Sequence, residues 1–189
     1  HPEYALIELS GNASVRETLE TVLGEALEEG LIDDAVVASS SAQAEDLWAI
    51  REAIPEAQKH EGGSIKHDVS VPVSSVGDFL EKATELVEKE LPNVRVCAFG
   101  HAGDGNIHFN LSQPAGVDRD AYLESWTRIN RLVHDLVMDM GGSFSAEHGI
   151  GQLKRSDLVR YKSDVELDLM RTMKRALDPK NIMNPGKVV

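Results

Sequence analysis

The sequence predicts an α+β fold: antiparallel sheet covered by helices, resembling paired ferredoxin-like halves. Three observations carry this. Segments between residues 69 and 111 alternate apolar and polar side chains, the pattern of a sheet with one solvated face. Between the alternating segments lie stretches whose apolar residues recur at helical spacing. Strand–helix–strand units occur twice, joined by short connections. No linker or low-complexity stretch interrupts the chain, so residues 1–189 are read as one domain.

Each element has a local reason. Tyr4-Ala5-Leu6-Ile7-Glu8-Leu9 reads as a strand closed by Gly11-Asn12. Ser14 and Glu17 form a capping-box pattern before Val15, Leu19, Val22, Leu23, Ala26 and Leu27, and Gly30 ends that helix. Residues 35–38 are a second short strand. The serines at 39–41 cap a helix over 42–54, which Pro55 is expected to stop. Residues 56–67 read as irregular, and Val69, Val71 and Val73 alternate as a strand. A helix follows over 76–90, then strands over 95–99 and 106–111 around a glycine-rich turn. One long helix is expected over 119–140, with Tyr122, Trp126, Ile129, Val133, Leu136 and Met140 inward. A loop over 143–154 precedes a last helix over 164–177, opened by Ser163 and Glu166 and stopped by Asp178-Pro179.

Composition narrows function. Nineteen basic against 32 acidic side chains give a net charge of −13, which argues against a nucleic-acid partner. No run approaches the ~20 apolar residues of a membrane span. The single cysteine, Cys97, excludes an internal disulfide and fits a reducing compartment. Cytoplasmic location is the expectation, with membrane contact only through an electron acceptor. The chain starts at His1 inside an apolar alternation and is read as part of something longer.

The chemistry-bearing residues fall in three islands. The first is Gly100-His101-Ala102-Gly103-Asp104-Gly105-Asn106-Ile107-His108. A hairpin there returns His101 toward the next strand, on which Asn106, His108 and Asn110 share one face by the two-residue period. The second is Gly141-Gly142-Ser143-Phe144-Ser145-Ala146-Glu147-His148-Gly149-Ile150-Gly151. Two histidines and a carboxylate are a common divalent-metal set with a position open to water or substrate. The spacing is no standard zinc motif, and a tight turn beside a solvent-facing strand explains the first island equally well. The third island is basic: Arg51, on the apolar side of its helix with Leu47 and Trp48, and Lys66 with His67 before the strand at Val69. Together they offer a cationic pocket to a small anion. Alternatively, Arg51 snorkels and pairs with Glu52 or Asp46.

Taken together, these islands resemble the C-terminal substrate domain of flavin-linked D-2-hydroxy-acid dehydrogenases, in the vanillyl-alcohol oxidase superfamily. Members include D-2-hydroxyglutarate dehydrogenase, D-lactate dehydrogenases and the flavin subunit of glycolate oxidase. The matching blocks are Trp48-Ala49-Ile50-Arg51-Glu52, Lys66-His67-Asp68-Val69-Ser70-Val71-Pro72, the glycine–histidine block, Glu147-His148-Gly149-Ile150-Gly151, and Asp178-Pro179-Lys180-Asn181-Ile182-Met183-Asn184-Pro185-Gly186-Lys187. The resemblance implies that His101, His108 and Glu147 bind a divalent metal, zinc or manganese. It implies that Arg51, Lys66 and Asn110 hold the substrate, that His148 is the base, and that Asn184 lies near FAD. One departure is Pro55, where many dicarboxylate-oxidising relatives carry a hydroxyl residue.

The implied reaction takes hydride from a D-2-hydroxy acid to FAD and leaves a 2-oxo acid. The flavin-binding half would lie upstream, so this fragment is expected to fold without turning over. A metal acidifies bound hydroxyls, an imidazole near pKa 6.5 can accept the proton, and the paired cations orient the carboxylate. Two other readings stay open: a self-sufficient metal-dependent hydrolase, and a non-catalytic ferredoxin-like anion-binding module. The apolar stripes fit a homodimer interface as well as a core, and the electron acceptor is not specified by the sequence.

Overall fold

The computed structural model describes residue 1 and residues 3–189. The chain divides into two compact units, His1–His60 and Glu61–Val189.

The first unit carries α1 (Val15–Glu28) and α2 (Ser41–Lys59). At the start of α1 the Ser14 hydroxyl donates to Asn12 Oδ1 at 2.7 Å, and the expected capping bond is not made. Ser40 does cap α2, accepting from the Gln43 N–H. Pro55 does not stop α2, which runs on to Lys59. A proline forgoes one ladder bond and crowds the preceding turn, and so close to the helix end few further bonds are at stake. The strands expected at 4–9 and 35–38 are not formed among the described residues. Alternation makes a segment fit to be a strand, but only a neighbour's N–H and C=O groups make it one.

The second unit holds β1 (Ser64–Ser70), α3 (Val76–Glu90), β2 (Arg95–His101) and β3 (Asn106–Ser112). It continues with α4 (Arg119–Leu123), α5 (Trp126–Asp139), α6 (Arg155–Tyr161) and α7 (Asp164–Leu177). The strands form an antiparallel sheet in the order β1-β3-β2, so the fold is α+β as predicted. β1 begins earlier than expected and takes in Lys66, His67 and Asp68; Val71 and Val73 lie beyond its end. The 119–140 helix is broken at Glu124-Ser125 into α4 and α5, and Trp126, expected inward, is 38% exposed. The short α6 lies in a stretch given no element above.

One face of the sheet is packed. Ile65, Val69, Phe109 and Leu111 are fully buried against Phe79, Ala83 and Val87 of α3 and Ile129, Val133 and Val137 of α5. At 25 cal/mol per Å², burying one such side chain contributes about 1.5–3 kcal/mol. Tyr122 seals one end, its hydroxyl donating to the Leu111 carbonyl at 2.8 Å. α7 keeps its capping box, Ser163 with Glu166, and packs Leu167 with Phe144 and Leu158 in a smaller cluster.

The hairpin between β2 and β3 requires glycine at position 105. Its φ is +75°, and a Cβ there would meet the Val71 carbonyl at 2.0 Å.

Candidate functional site

The face opposite the core carries the polar residues. Register places Asp68 of β1, His108 of β3 and Phe99 of β2 in one row across the sheet. On one side of it lies the row Lys66, Asn110 and Cys97; on the other, Ser70, Asn106 and His101. Antiparallel partners share a face, so the register also brings Lys66 and His101 to the face on which the two-residue period puts Asn106, His108 and Asn110.

The loop with Glu147 and His148 comes to this face along the free edge of β1. Ser70 and Ser143 exchange backbone hydrogen bonds at 2.9 and 2.8 Å, and the Ala146 N–H donates to the Asp68 carbonyl at 3.2 Å. Gly142 permits the approach: a Cβ there would lie 2.1 Å from the Ser70 carbonyl. On its other side the loop is held by Lys154, whose Nζ donates to the Phe144 carbonyl at 2.9 Å and the Ser145 hydroxyl at 3.2 Å.

His108 and Glu147 meet there, Nε2 to Oε2 at 3.3 Å. Asp68, His108 and Glu147 each offer a ligand atom, and these atoms all lie within 4.8 Å of one another. An imidazole and carboxylates this close together are donor types that suit a divalent cation. His101, exposed at the end of β2, lies on the same face but is outside that close group. His148 stands over the site with its ring centroid 5.8 Å from that of His108. Lys66 is exposed, whereas Asn110 and Asn106 are buried.

Asp68 is the residue that sequence reasoning passed over. It is 3% exposed, and its Oδ2 accepts the N–H groups of Glu147 at 2.8 Å and His148 at 2.7 Å. Its Oδ1 accepts from Asn106 Nδ2 at 3.0 Å. Burial by itself would raise this carboxyl; the donated N–H groups of His148, Glu147 and Asn106 outweigh it and hold the group below the ordinary carboxylate range. The signal was available: extending the alternation back to Ile65 puts Lys66, Asp68 and Ser70 together on the polar face.

The remaining expected residues lie elsewhere. Asn184 is exposed in the C-terminal segment with φ +48°, a conformation asparagine tolerates better than most residues. That segment is tied down by Asp178, which accepts the N–H groups of Ile182 and Met183, and by the Val188 N–H donating to the Gly151 carbonyl at 2.9 Å. Arg51 is half-buried on α2 of the first unit. Cys97 is half-buried, and burial pushes its thiol up, away from reactivity.

On the packed face, His67 and His134 form a second histidine pair, with ring centroids 5.8 Å apart. His67 Nδ1 bonds the Phe109 carbonyl at 2.7 Å. Burial drives His67 down to about 3 and His134 to about 4, so both imidazoles are neutral at pH 7. No helix among the described residues is long and apolar enough to cross a membrane.

Residues 1–188 match the family described as FAD linked oxidases, C-terminal domain. D-2-hydroxyglutarate dehydrogenase of Stutzerimonas stutzeri is 37% identical over 190 residues, covering 99% of this chain and 40% of that protein. The mitochondrial D-2-hydroxyglutarate dehydrogenase of Arabidopsis thaliana is 37% identical over 193 residues, 98% of this chain and 32% of its own length. A D-2-hydroxyglutarate–pyruvate transhydrogenase of Saccharomyces cerevisiae is 32% identical over 198 residues, 100% of this chain and 39% of its own. The chain thus spans well under half the length of these relatives.

Proposed function

This chain belongs to the family of C-terminal domains of FAD-linked oxidases, and from that premise we propose that it is the substrate- and metal-holding part of an FAD-dependent dehydrogenase that oxidises a D-2-hydroxy acid to a 2-oxo acid. The observation that carries the reading is the meeting of His108 with Glu147, 39 positions apart in the sequence, beside a buried ionised carboxylate.

His108 and Glu147, with His101 completing the set, would hold a divalent cation, zinc or manganese, which supplies Lewis acidity toward the substrate hydroxyl. FAD, when bound, supplies hydride acceptance, and Asn184 is the residue of this chain assigned to face it. The rest is work for side chains. Lys66 and Asn110, paired across β1 and β3, hold the substrate from the row beside His108. Arg51, in the first unit, is the other residue that the family resemblance assigns to the substrate carboxylate, which an arginine can bond bidentately. His148 takes the hydroxyl proton. Its Nδ1 lies 3.7 Å from Asp68 Oδ2, which leaves Nε2 for the substrate.

The names of the relatives make D-2-hydroxyglutarate the first substrate to try. D-Lactate and glycolate are the alternatives that Pro55 keeps in play: it stands one helical turn after Arg51 and offers no hydroxyl to a second carboxylate. Some relatives are named mitochondrial, so a reducing compartment rather than the cytoplasm as such is what the lone Cys97 supports.

The test is dye reduction by the complete flavoprotein carrying this chain, with D-2-hydroxyglutarate and D-lactate, each beside its L counterpart, and with achiral glycolate. Reduction by a D-2-hydroxy acid, lowered about 10²–10⁴-fold by His148→Ala, is the expected result. Failure with every D acid offered overturns the reading.

A further inference from the structure

We propose that Asp68 is the positioning residue of this site: its carboxylate holds the Glu147–His148 loop in place before any cation arrives and fixes the His108 ring from behind, without itself being a ligand. The inference rests on the reading that His108 and Glu147 hold a cation.

Three observations separate this role from ligation. The first is the direction of the His108 ring. Its Nε2 faces Glu147 at 3.3 Å, while its Nδ1 faces Asp68 Oδ1 at 3.9 Å. The two ring nitrogens point away from each other, so Asp68 and Glu147 address different nitrogens of His108, although their own carboxylate oxygens come within 4.8 Å. A carboxylate on the other nitrogen of a ligating histidine fixes its tautomer and orientation. The second is occupancy. Asp68 Oδ2 already accepts two backbone N–H groups and Oδ1 accepts the Asn106 amide. Oδ1 also faces His108 Nδ1 at 3.9 Å, and Oδ2 faces His148 Nδ1 at 3.7 Å. The third is sequence distance. The bonds to Glu147 and His148 cross 79 and 80 positions, and the same residue's carbonyl accepts the Ala146 N–H. One strand residue therefore grips three consecutive residues of the loop, whose side chains at 147 and 148 are exposed. Gly149 and Gly151, both at positive φ, follow the gripped residues.

The experiment measures Zn²⁺ affinity of the full chain by chelator competition, together with amide hydrogen exchange without metal. In the unsubstituted chain the 147 and 148 N–H groups are expected to be protected without Zn²⁺. Exchange at unprotected rates there overturns the proposal with no variant needed. Asp68→Asn is expected to remove protection at 146–148 while Ile107 and Phe109 keep theirs, and to weaken Zn²⁺ binding about 10–100-fold. Two results for this variant defeat the proposal: unchanged affinity and protection, or Zn²⁺ binding abolished with 147 and 148 still protected, which would make Asp68 a ligand. His108→Ala and Glu147→Ala test the underlying reading separately. If neither weakens Zn²⁺ binding, the cation site is wrong, whatever the Asp68 variant does.

Discussion

His67 and Asp68 are neighbours on β1, nearly equally buried, and they face opposite worlds. His67 points into the packed face among Phe109, His134 and the α5 side chains, where burial strips its charge. Asp68 points to the other face and keeps its charge because three N–H donors come to it. Burial alone therefore does not decide ionisation; the supply of hydrogen-bond partners does. The same sheet can be an oily wall on one side and a polar site on the other because side chains alternate strictly along each strand.

That contrast can be broken from the packed side first. Phe109→Ala empties a fully buried position against Phe79 and should cost about 3–5 kcal/mol by urea unfolding. Gly142→Ala strikes the seam where the loop meets β1. Its methyl group would press on the Ser70 carbonyl, and we expect a loss of roughly 2–3 kcal/mol, with Zn²⁺ affinity falling too as Glu147 is displaced.

Acid sharpens the comparison. His67 titrates near 3 when folded and near 6.5 when unfolded, so between those values the unfolded chain binds more protons. Stability is full above pH 6.5 and falls as the pH drops toward 3, by about 2 kcal/mol at pH 5 from this residue. Urea midpoints at pH 7 and pH 5 should therefore differ, and His67→Leu should reduce that difference. Asp68 runs the same way through a different window. Its folded pKa is depressed, so its contribution is present above the ordinary carboxylate range and lost only in stronger acid. The smallest effect on stability belongs to the polar face: His108→Ala should cost only about 1 kcal/mol while abolishing Zn²⁺ binding by chelator competition.

Much of the fold was legible. The helix over 76–90 and the one opened by Ser163 appear where their periodicity and caps put them. The strand face with Asn106, His108 and Asn110 follows from a period of two. Legibility failed where the outcome depended on partners: the strands expected in the first 60 residues lack a ladder among the described residues, and the helix before Pro55 outlasted its stop signal. The site was half readable. His108 and Glu147 could be paired from their types and blocks, while Asp68 passed as one more acid in a chain of 32.

The sequence by itself determined which residues could do chemistry, the family the chain joins, and the helical segments whose contacts lie three and four residues apart. Only the tertiary structure decided that Asp68 would receive the backbone of residues 147 and 148, and that His67 beside it would be neutral. The reason is range. A helix is specified by neighbours a turn away, whereas the charge on a buried side chain is set by whichever donors the fold delivers, here from almost eighty positions down the chain.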